Sequence, residues 1–222
     1  MNMKKILILI TVIGLFSCEK DENTTDKLKD FDGNTYETVT IGNQIWMAEN
    51  LKTTHYPDGT KIPEITECED WKSLGANEEA FCYYENDSKN QYGGYYTYES
   101  AIKACPNGWH LPTKNEWEQL EIYLYNNGFN GAEGTALKAI SGWSENGNDN
   151  FGFSALPGGR RYWNVLTSEC NGQFYWVGDI GCWWSNTEYD NNFSYAFKLY
   201  DEEVHIGEEV KKSGLSVRYV KD

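Results

Sequence analysis

The sequence predicts an α+β fold: a single, loop-rich domain in which antiparallel strands surround two main helices. Three observations carry that expectation. Both halves of a helix capping box stand mid-chain, at Thr113 and Glu116. Runs that alternate apolar and polar residues, the period of a half-buried strand, stand near both ends. No low-complexity linker interrupts residues 31–222, so this stretch reads as one domain. A chain of that size buries roughly 70% of its unfolded surface, enough for a proper core. Helices in the middle with strands at both ends mean α+β, and the terminal strands of such a domain can pair with each other.

The chain opens on an address. Lys4 and Lys5 precede an apolar run over residues 6–16, shorter than the ~20 residues of a spanning helix. The run ends in Leu15-Phe16-Ser17-Cys18. A small residue before a cysteine, after an apolar stretch, resembles a bacterial lipobox. Residues 1–17 are therefore expected to be a lipoprotein signal peptide, cleaved before Cys18, with acyl chains on Cys18 as the lipid anchor. Several such chains hold a protein stably, at about 0.8 kcal/mol per buried methylene. Residues 18–30 are charged and polar without apolar periodicity, and read as a lipidated flexible tether. Glu19-Lys20-Asp21-Glu22 resembles the signal that sends Bacteroidota lipoproteins to the outer face of the outer membrane. The expected location is the outer membrane, lipid-anchored and facing the cell exterior.

The first element of the domain is a hairpin. Val39 and Ile41 alternate with Thr38 and Thr40, Gly42-Asn43 turns, and residues 44–47 return. Residues 50–90 are turn-rich, with Pro57-Asp58-Gly59 the strongest signal, and are expected to be mostly irregular around a Tyr83-Tyr84 segment. A helix is expected over residues 98–104, with Thr97 as N-cap and Pro106 as terminator. The next starts at the capping box, repeats Trp117, Leu120 and Leu124 at helical spacing and ends at Gly128. A shorter helical piece covers residues 132–140. Strands are expected over 174–177, 183–184, 195–200 and 216–220; in the third, Tyr195, Phe197 and Leu199 share one face and Lys198 takes the other.

Charge and cysteines narrow the function. Acidic residues number 34 and basic ones 19, a net charge of -15, so nucleic acid is not an expected partner. Aromatics make up 15%, too much ring surface for a disordered chain. Of the six cysteines, five remain once Cys18 carries lipid, and none has metal-ligand spacing. An exported chain meets an oxidising compartment, so disulfides are expected. Cys170 and Cys182 flank a probable hairpin and are paired; Cys82 with Cys105 is the second pairing, with Cys68 to Cys82 as the alternative.

One stretch identifies a family. Cys105-Pro106-Asn107-Gly108-Trp109-His110-Leu111-Pro112-Thr113, followed by Glu116-Trp117, resembles the Fibrobacter succinogenes major paralogous domain. So do Asp32-Gly33-Asn34-Thr35-Tyr36, Ile45-Trp46-Met47-Ala48-Glu49-Asn50-Leu51 and Gly152-Phe153-Ser154-Ala155-Leu156-Pro157-Gly158-Gly159. Trp184-Ser185-Asn186-Thr187-Glu188 and Gly214-Leu215-Ser216-Val217-Arg218-Tyr219-Val220 complete a set covering nearly all of residues 31–222. The resemblance implies the formylglycine-generating-enzyme branch of the C-type-lectin-like fold. It implies no reaction. Those enzymes use a cysteine pair near the C-terminal end, whereas the last cysteine here is Cys182. The sugar-binding calcium triplets of C-type lectins are missing too, so no cofactor is expected, although a differently built oxygen site leaves room for calcium.

Candidate residues follow from side-chain chemistry. No catalytic role is expected of His55, His110 or His205; His110 reads as a packing or hydrogen-bonding residue. The run Glu145 to Asn150 is oxygen-rich but reads as a solvated turn. Trp46, Trp109, Trp117 and Trp184 sit beside apolar residues and are expected in the core. Tyr162, Trp163, Tyr175 and Trp176 lie in a Gly-rich region with amides nearby, and sugars suit rings beside amides. A ligand-binding face is expected from Arg161, Tyr162, Trp163, Asn164, Gln173 and Trp176, with Glu188 and Asp190 from a second acidic cluster. Arg160 and Arg161 are expected to pair with neighbouring carboxylates. The functional expectation is a non-enzymatic surface module that binds a glycan or a protein. A polysaccharide-acting hydrolase and a structural subunit of a surface complex are the alternatives.

Overall fold

The computed structural model describes residues 27–145, 147–162 and 174–222. The signal segment and Cys18 lie outside the described residues, as do Trp163, Asn164, Cys170 and Gln173. Two short strands, β1 (Leu28–Lys29) and β2 (Thr35–Tyr36), pair first. The expected hairpin follows as β3 (Thr38–Ile41) and β4 (Gln44–Met47). Next come α1 (Cys68–Ser73), the pair β5 (Phe81–Tyr83) and β6 (Gly94–Tyr96), and α2 (Tyr98–Lys103). β7 (Trp109–His110) leads into α3 (Lys114–Leu124), whose Thr113–Glu116 capping box closes in both directions. A π-turn carries α3 on to Gly128, at φ 95, before α4 (Glu133–Leu137). β8 (Arg160–Arg161) pairs with β9 (Phe174–Tyr175). The long strands β10 (Gly181–Glu188), β11 (Phe193–Leu199) and β12 (Val204–Val210) form an antiparallel sheet. β13 (Val220–Lys221) enters the sheet of order β3-β4-β13-β7, so chain-terminal strands pair as expected. The architecture is α+β.

The long sheet is buried on both faces. Strand alternation sends Trp183, Phe197 and Leu199 into one core cluster and Cys182, Trp184 and Ala196 into another. The spacing of Trp117, Leu120 and Leu124 lays α3 on the first of these. There the Trp117 and Phe197 rings stack at 4.2 Å and 15°, and Trp46 lies 4.5 Å from Trp117. Trp46, Trp117 and Trp184 are core residues; Trp109 is only half-buried. Among the described residues no helix is long and apolar enough to cross a membrane.

Some expectations are corrected. Residues 68–73 are helical rather than irregular. Local support for that helix is slight: its N-cap, Glu67, makes no side-chain cap bond, and the Lys72–Glu69 pair is at the surface. It is held by tertiary contacts, with Trp71 buried and donating Nε1 to the Lys212 carbonyl at 3.0 Å. Of residues 216–220 only Val220 joins a strand; Leu215 and Ser216 make single bridges to Tyr96 and Trp183. The disulfide expectations fail at three positions. Cys82, Cys105 and Cys182 are free thiols, so neither Cys82–Cys105 nor Cys170–Cys182 forms. Cys82 lies in the cluster around Trp71 and Tyr95, whereas Cys105 and Cys182 belong to the larger cluster around Tyr36 and Tyr219. Burial pushes the three thiols up to about 11, 12 and 12, so they are poor nucleophiles. Cys68, which those two pairings leave over, is disulfide-bonded.

The scaffold closes on Arg218, which is fully buried. Its Nε donates to Asn50 Oδ1 at 2.9 Å, and its two terminal nitrogens donate to the carbonyls of Met47, Phe153 and Ser154. The guanidinium lies 4.4 Å over the Phe153 ring. Asn50 Oδ1 also accepts Trp183 Nε1 at 2.8 Å, and Asn50 Nδ2 donates to the Tyr92 carbonyl and Ser216 Oγ. Burial pulls the Arg218 pKa down to about 9 while Asp149 and Glu49 oppose it, so the group stays cationic at neutral pH. Arg218→Met would leave buried carbonyls unpaired. The expected cost is about 3 kcal/mol or more, read as a lower urea midpoint at unchanged slope; Arg218→Lys, whose one ammonium cannot replace the fork, should also lose stability.

His110 fastens β13 and β7 to the start of α3. Its Nδ1 lies 2.7 Å from Asp222 Oδ1 and its Nε2 lies 2.7 Å from Glu116 Oε1. Two acceptors require two ring protons, so the pair favours imidazolium. Burial alone would lower the His110 pKa, but the bonds to Asp222 and Glu116 outweigh it and raise it. Burial likewise opposes Glu116, yet bonds from Thr113 and His110 lower its pKa. The raised histidine contributes fully below its ordinary value of 6.5 and loses that contribution as pH rises through its folded value. The lowered carboxylate contributes fully above 4.5 and loses it as pH falls. The stability gap between the parent and His110→Gln should therefore be widest between about pH 4.5 and 6.5 and shrink at about pH 9. Urea titrations across that range give the answer, and a flat gap would refute the clamp.

Candidate ligand-binding site

The site begins at a tight turn. Leu156-Pro157-Gly158-Gly159 feeds β8, and Gly159 has φ +62. A Cβ on Gly159 would collide with the Tyr175 carbonyl oxygen, so only glycine lets β9 approach this closely. Gly159 N donates to the Ile180 carbonyl, and Gly178 N to that of Pro157. The loop after β9 winds around Trp176, whose carbonyl accepts from the amides of Asp179 and Ile180. Trp176 itself has φ 60, a left-handed conformation that costs a bulky residue of order 1–3 kcal/mol. The residue is nevertheless 48% exposed. Backbone strain is here combined with an outward-facing indole.

Strand alternation separates the two arginines. Arg161 points inward and is 3% exposed. It donates to the carbonyls of Ile65 and Thr66 at 2.7 and 2.8 Å and lies 4.4 Å over the Trp71 ring. Arg160 takes the opposite face and lies half-buried between two rings, 4.5 Å from that of Tyr162 and 4.6 Å from that of Trp176. It is ion-paired with the buried carboxylate of Glu209, which also takes Lys198 Nζ at 3.3 Å and Ser213 Oγ at 3.0 Å. Among the described residues Arg160 Nε has no hydrogen-bond partner. Tyr175 extends the ring array, 6.4 Å from Tyr162 and 6.0 Å from Trp176. The result is an aromatic platform with a guanidinium set between its rings. Such a surface offers ring faces to C–H groups and N–H donors to hydroxyls.

The expected site residues divide accordingly. Tyr162 and Trp176 meet at the platform. Arg161 does not, because its guanidinium is occupied by the 65–66 backbone. It pairs with carbonyls rather than with the carboxylate expected of it, whereas Arg160 does take a carboxylate. Glu188 and Asp190 do not join the ring array: Glu188 ends β10, in register through Ser194 of β11 with Glu209 of β12. Glu188 pairs with Lys211 at 2.9 Å, and Asp190 Oδ1 accepts the amides of Asn192 and Phe193, capping a hairpin turn. Asp149, from the other oxygen-rich run, is occupied by the amide and hydroxyl of Ser154. Among the described residues no group of three His, Cys, Asp or Glu side chains could hold a metal ion. Arg160 and Glu209 are the site residues that sequence reasoning missed. Alternation within Arg160-Arg161 signals that one must face outward, but not which one.

The Fibrobacter succinogenes major domain family matches residues 39–221. The chain belongs to that family. Comparison with curated proteins and with solved structures found no match. The family motifs coincide with the scaffold: Met47 and Asn50, Phe153 and Ser154, and Ser216 and Arg218 come from three separate motifs and converge on one hydrogen-bonded cluster. The platform residues 160, 162, 175 and 176 fall in the interval between the Gly152–Gly159 and Trp184–Glu188 motifs. Within this family frame, Gly159→Ala should destabilise the β8–β9 pair. The expected loss is about 1–3 kcal/mol, with Trp176 fluorescence quenched more easily by acrylamide. Unchanged stability would mean that the loop does not depend on the close approach.

Proposed function

We propose that this protein is a lipid-anchored, outward-facing outer-membrane binding module, not an enzyme, and that it recognises a glycan on the Tyr162–Arg160–Trp176 platform. The observation that carries the reading is Trp176, held in a strained backbone conformation with its indole exposed beside a sandwiched guanidinium. Strain that no core packing requires is characteristic of ligand-contact positions. The polar partner for sugar hydroxyls is Arg160, already ion-paired with Glu209, so a neutral polyol need not displace that pair. A hydrolase would need two accessible carboxylates roughly 5–10 Å apart. Among the described residues the carboxylate at this site, Glu209, is buried and paired with two cations. The α+β architecture with paired terminal strands supports reading the domain as C-type-lectin-like, of the formylglycine-generating-enzyme type, a scaffold on which loops do the binding. Anchoring rests on the lipobox-like residues before Cys18.

Glycan-array binding by the detergent-solubilised full chain tests the reading. Trp176→Ala removes an exposed ring and should weaken binding about tenfold, the equivalent of about 1.4 kcal/mol, without altering the unfolding midpoint. Binding unchanged in that variant would remove the platform from consideration. Cys18→Ala should leave the protein soluble without detergent, and persistent membrane retention would refute acylation.

A further inference from the structure

A second cleft lies away from the platform, between the β1–β2 pair and the β7–β13 pair, with a cavity of about 490 Å³. That volume falls in the range of small-ligand sites, ~300–1,000 Å³. Its charge is anomalous. The chain carries 34 acidic and 19 basic residues, yet this lining holds Lys27, Lys29 and Lys221 against one carboxylate, Asp30. Asp30 is buried and turned inward, accepting from Asn34 N at 2.9 Å, Asn34 Nδ2 at 2.8 Å and the Tyr36 hydroxyl at 2.5 Å. The neighbouring acids are occupied as well: Asp32 by His55, Thr53 and Thr54, and Asp222 by His110. Lys27 is paired with Glu37, but among the described residues Lys29 and Lys221 have no ion-pair partner. Both are exposed.

The walls are aromatic. Trp109 is half-buried, and Phe31 is 55% exposed with its ring 5.6 Å from that of His55. Uncompensated ammonium groups beside ring faces match a ligand that is anionic at one point and has an apolar face elsewhere. We propose that this cleft binds a small acidic saccharide, a sugar ring bearing a carboxylate or a phosphate, with Lys29 and Lys221 taking the anion and Trp109 and Phe31 taking the ring. The site is separate from the platform and does not depend on its function.

Isothermal titration of the full chain in detergent tests this with four probes: glucuronic acid, glucose 6-phosphate, glucose and inorganic phosphate. Both acidic sugars should bind at least about tenfold more tightly than glucose and than phosphate alone. The double variant Lys29→Gln/Lys221→Gln should lose about tenfold for the acidic sugars, while Trp176→Ala should leave them unaffected. Raising the salt from about 0.1 M to about 1 M shortens the screening length from about 10 Å to about 3 Å and should weaken binding. The proposal is overturned if neither acidic sugar binds, if glucose binds equally, if phosphate alone accounts for the affinity, or if the double variant binds like the parent. A loss on Trp176→Ala instead would assign the acidic sugar to the platform and also overturn it.

Discussion

The fold depends on placing one guanidinium where no water reaches it. Among the described residues Arg218 has no ion-pair partner; its donors are met by Asn50 and by the carbonyls of Met47, Phe153 and Ser154. An isolated buried cation is costly unless its hydrogen bonds are complete. Completing them draws the end of β4, the 153–154 segment and the C-terminal segment to one point, and Asn50 adds β10 through Trp183. The consequences reach the platform. The chain after Ser154 passes from Ala155, whose amide donates to Leu137, to the Gly158-Gly159 turn, and β10 begins at Gly181, which that turn bridges. Both supports of the Arg160 strand are thus positioned by the same cluster.

Local signals in the sequence were legible because their partners lie within a few residues. The Thr113–Glu116 box, the Gly42-Asn43 turn and the Gly128 stop each act within one turn of chain. α1 was not legible because its stability comes from Lys212 and Arg161, roughly a hundred or more residues away. β12 was missed because Gly207 and the adjoining glutamates break its apolar alternation; its place is set by pairing with β11. The cysteine pairings failed for a related reason. Which thiols meet depends on which core cluster each strand faces, and spacing along the chain does not carry that information.

The candidate site was legible in kind but not in detail. An aromatic-rich stretch after Gly159 was visible from residue types alone. Which arginine belongs to it was not, since β8 is two residues long and its phase is decided by Trp71 and Phe174 accepting Arg161. Glu188 and Asp190 looked available only because their partners, Lys211 and the backbone of a turn, are matters of folding.

A common use of cations underlies these details. The protein is acidic and rich in rings, and its scarce cations are matched with aromatic faces: Arg161 with Trp71, Arg218 with Phe153, Lys211 with Tyr98 and Lys138 with Trp143. A cation over a ring contributes about 0.5–2 kcal/mol, and burying its stem adds apolar contact. Most of these groups stabilise the interior and are closed to ligands. Arg160 is intermediate, ring-sandwiched and ion-paired with Glu209, which it shares with Lys198, yet at the edge of an exposed indole. Lys29 and Lys221 stand at the other extreme, beside rings but without a carboxylate. The degree of neutralisation therefore separates the two surfaces. On the proposed reading, a neutral polyol would gain hydrogen bonds at the platform without displacing an ion pair, whereas an anion there would compete with Glu209. At the cleft the order reverses, because an anion supplies the charge that the protein itself leaves unmatched.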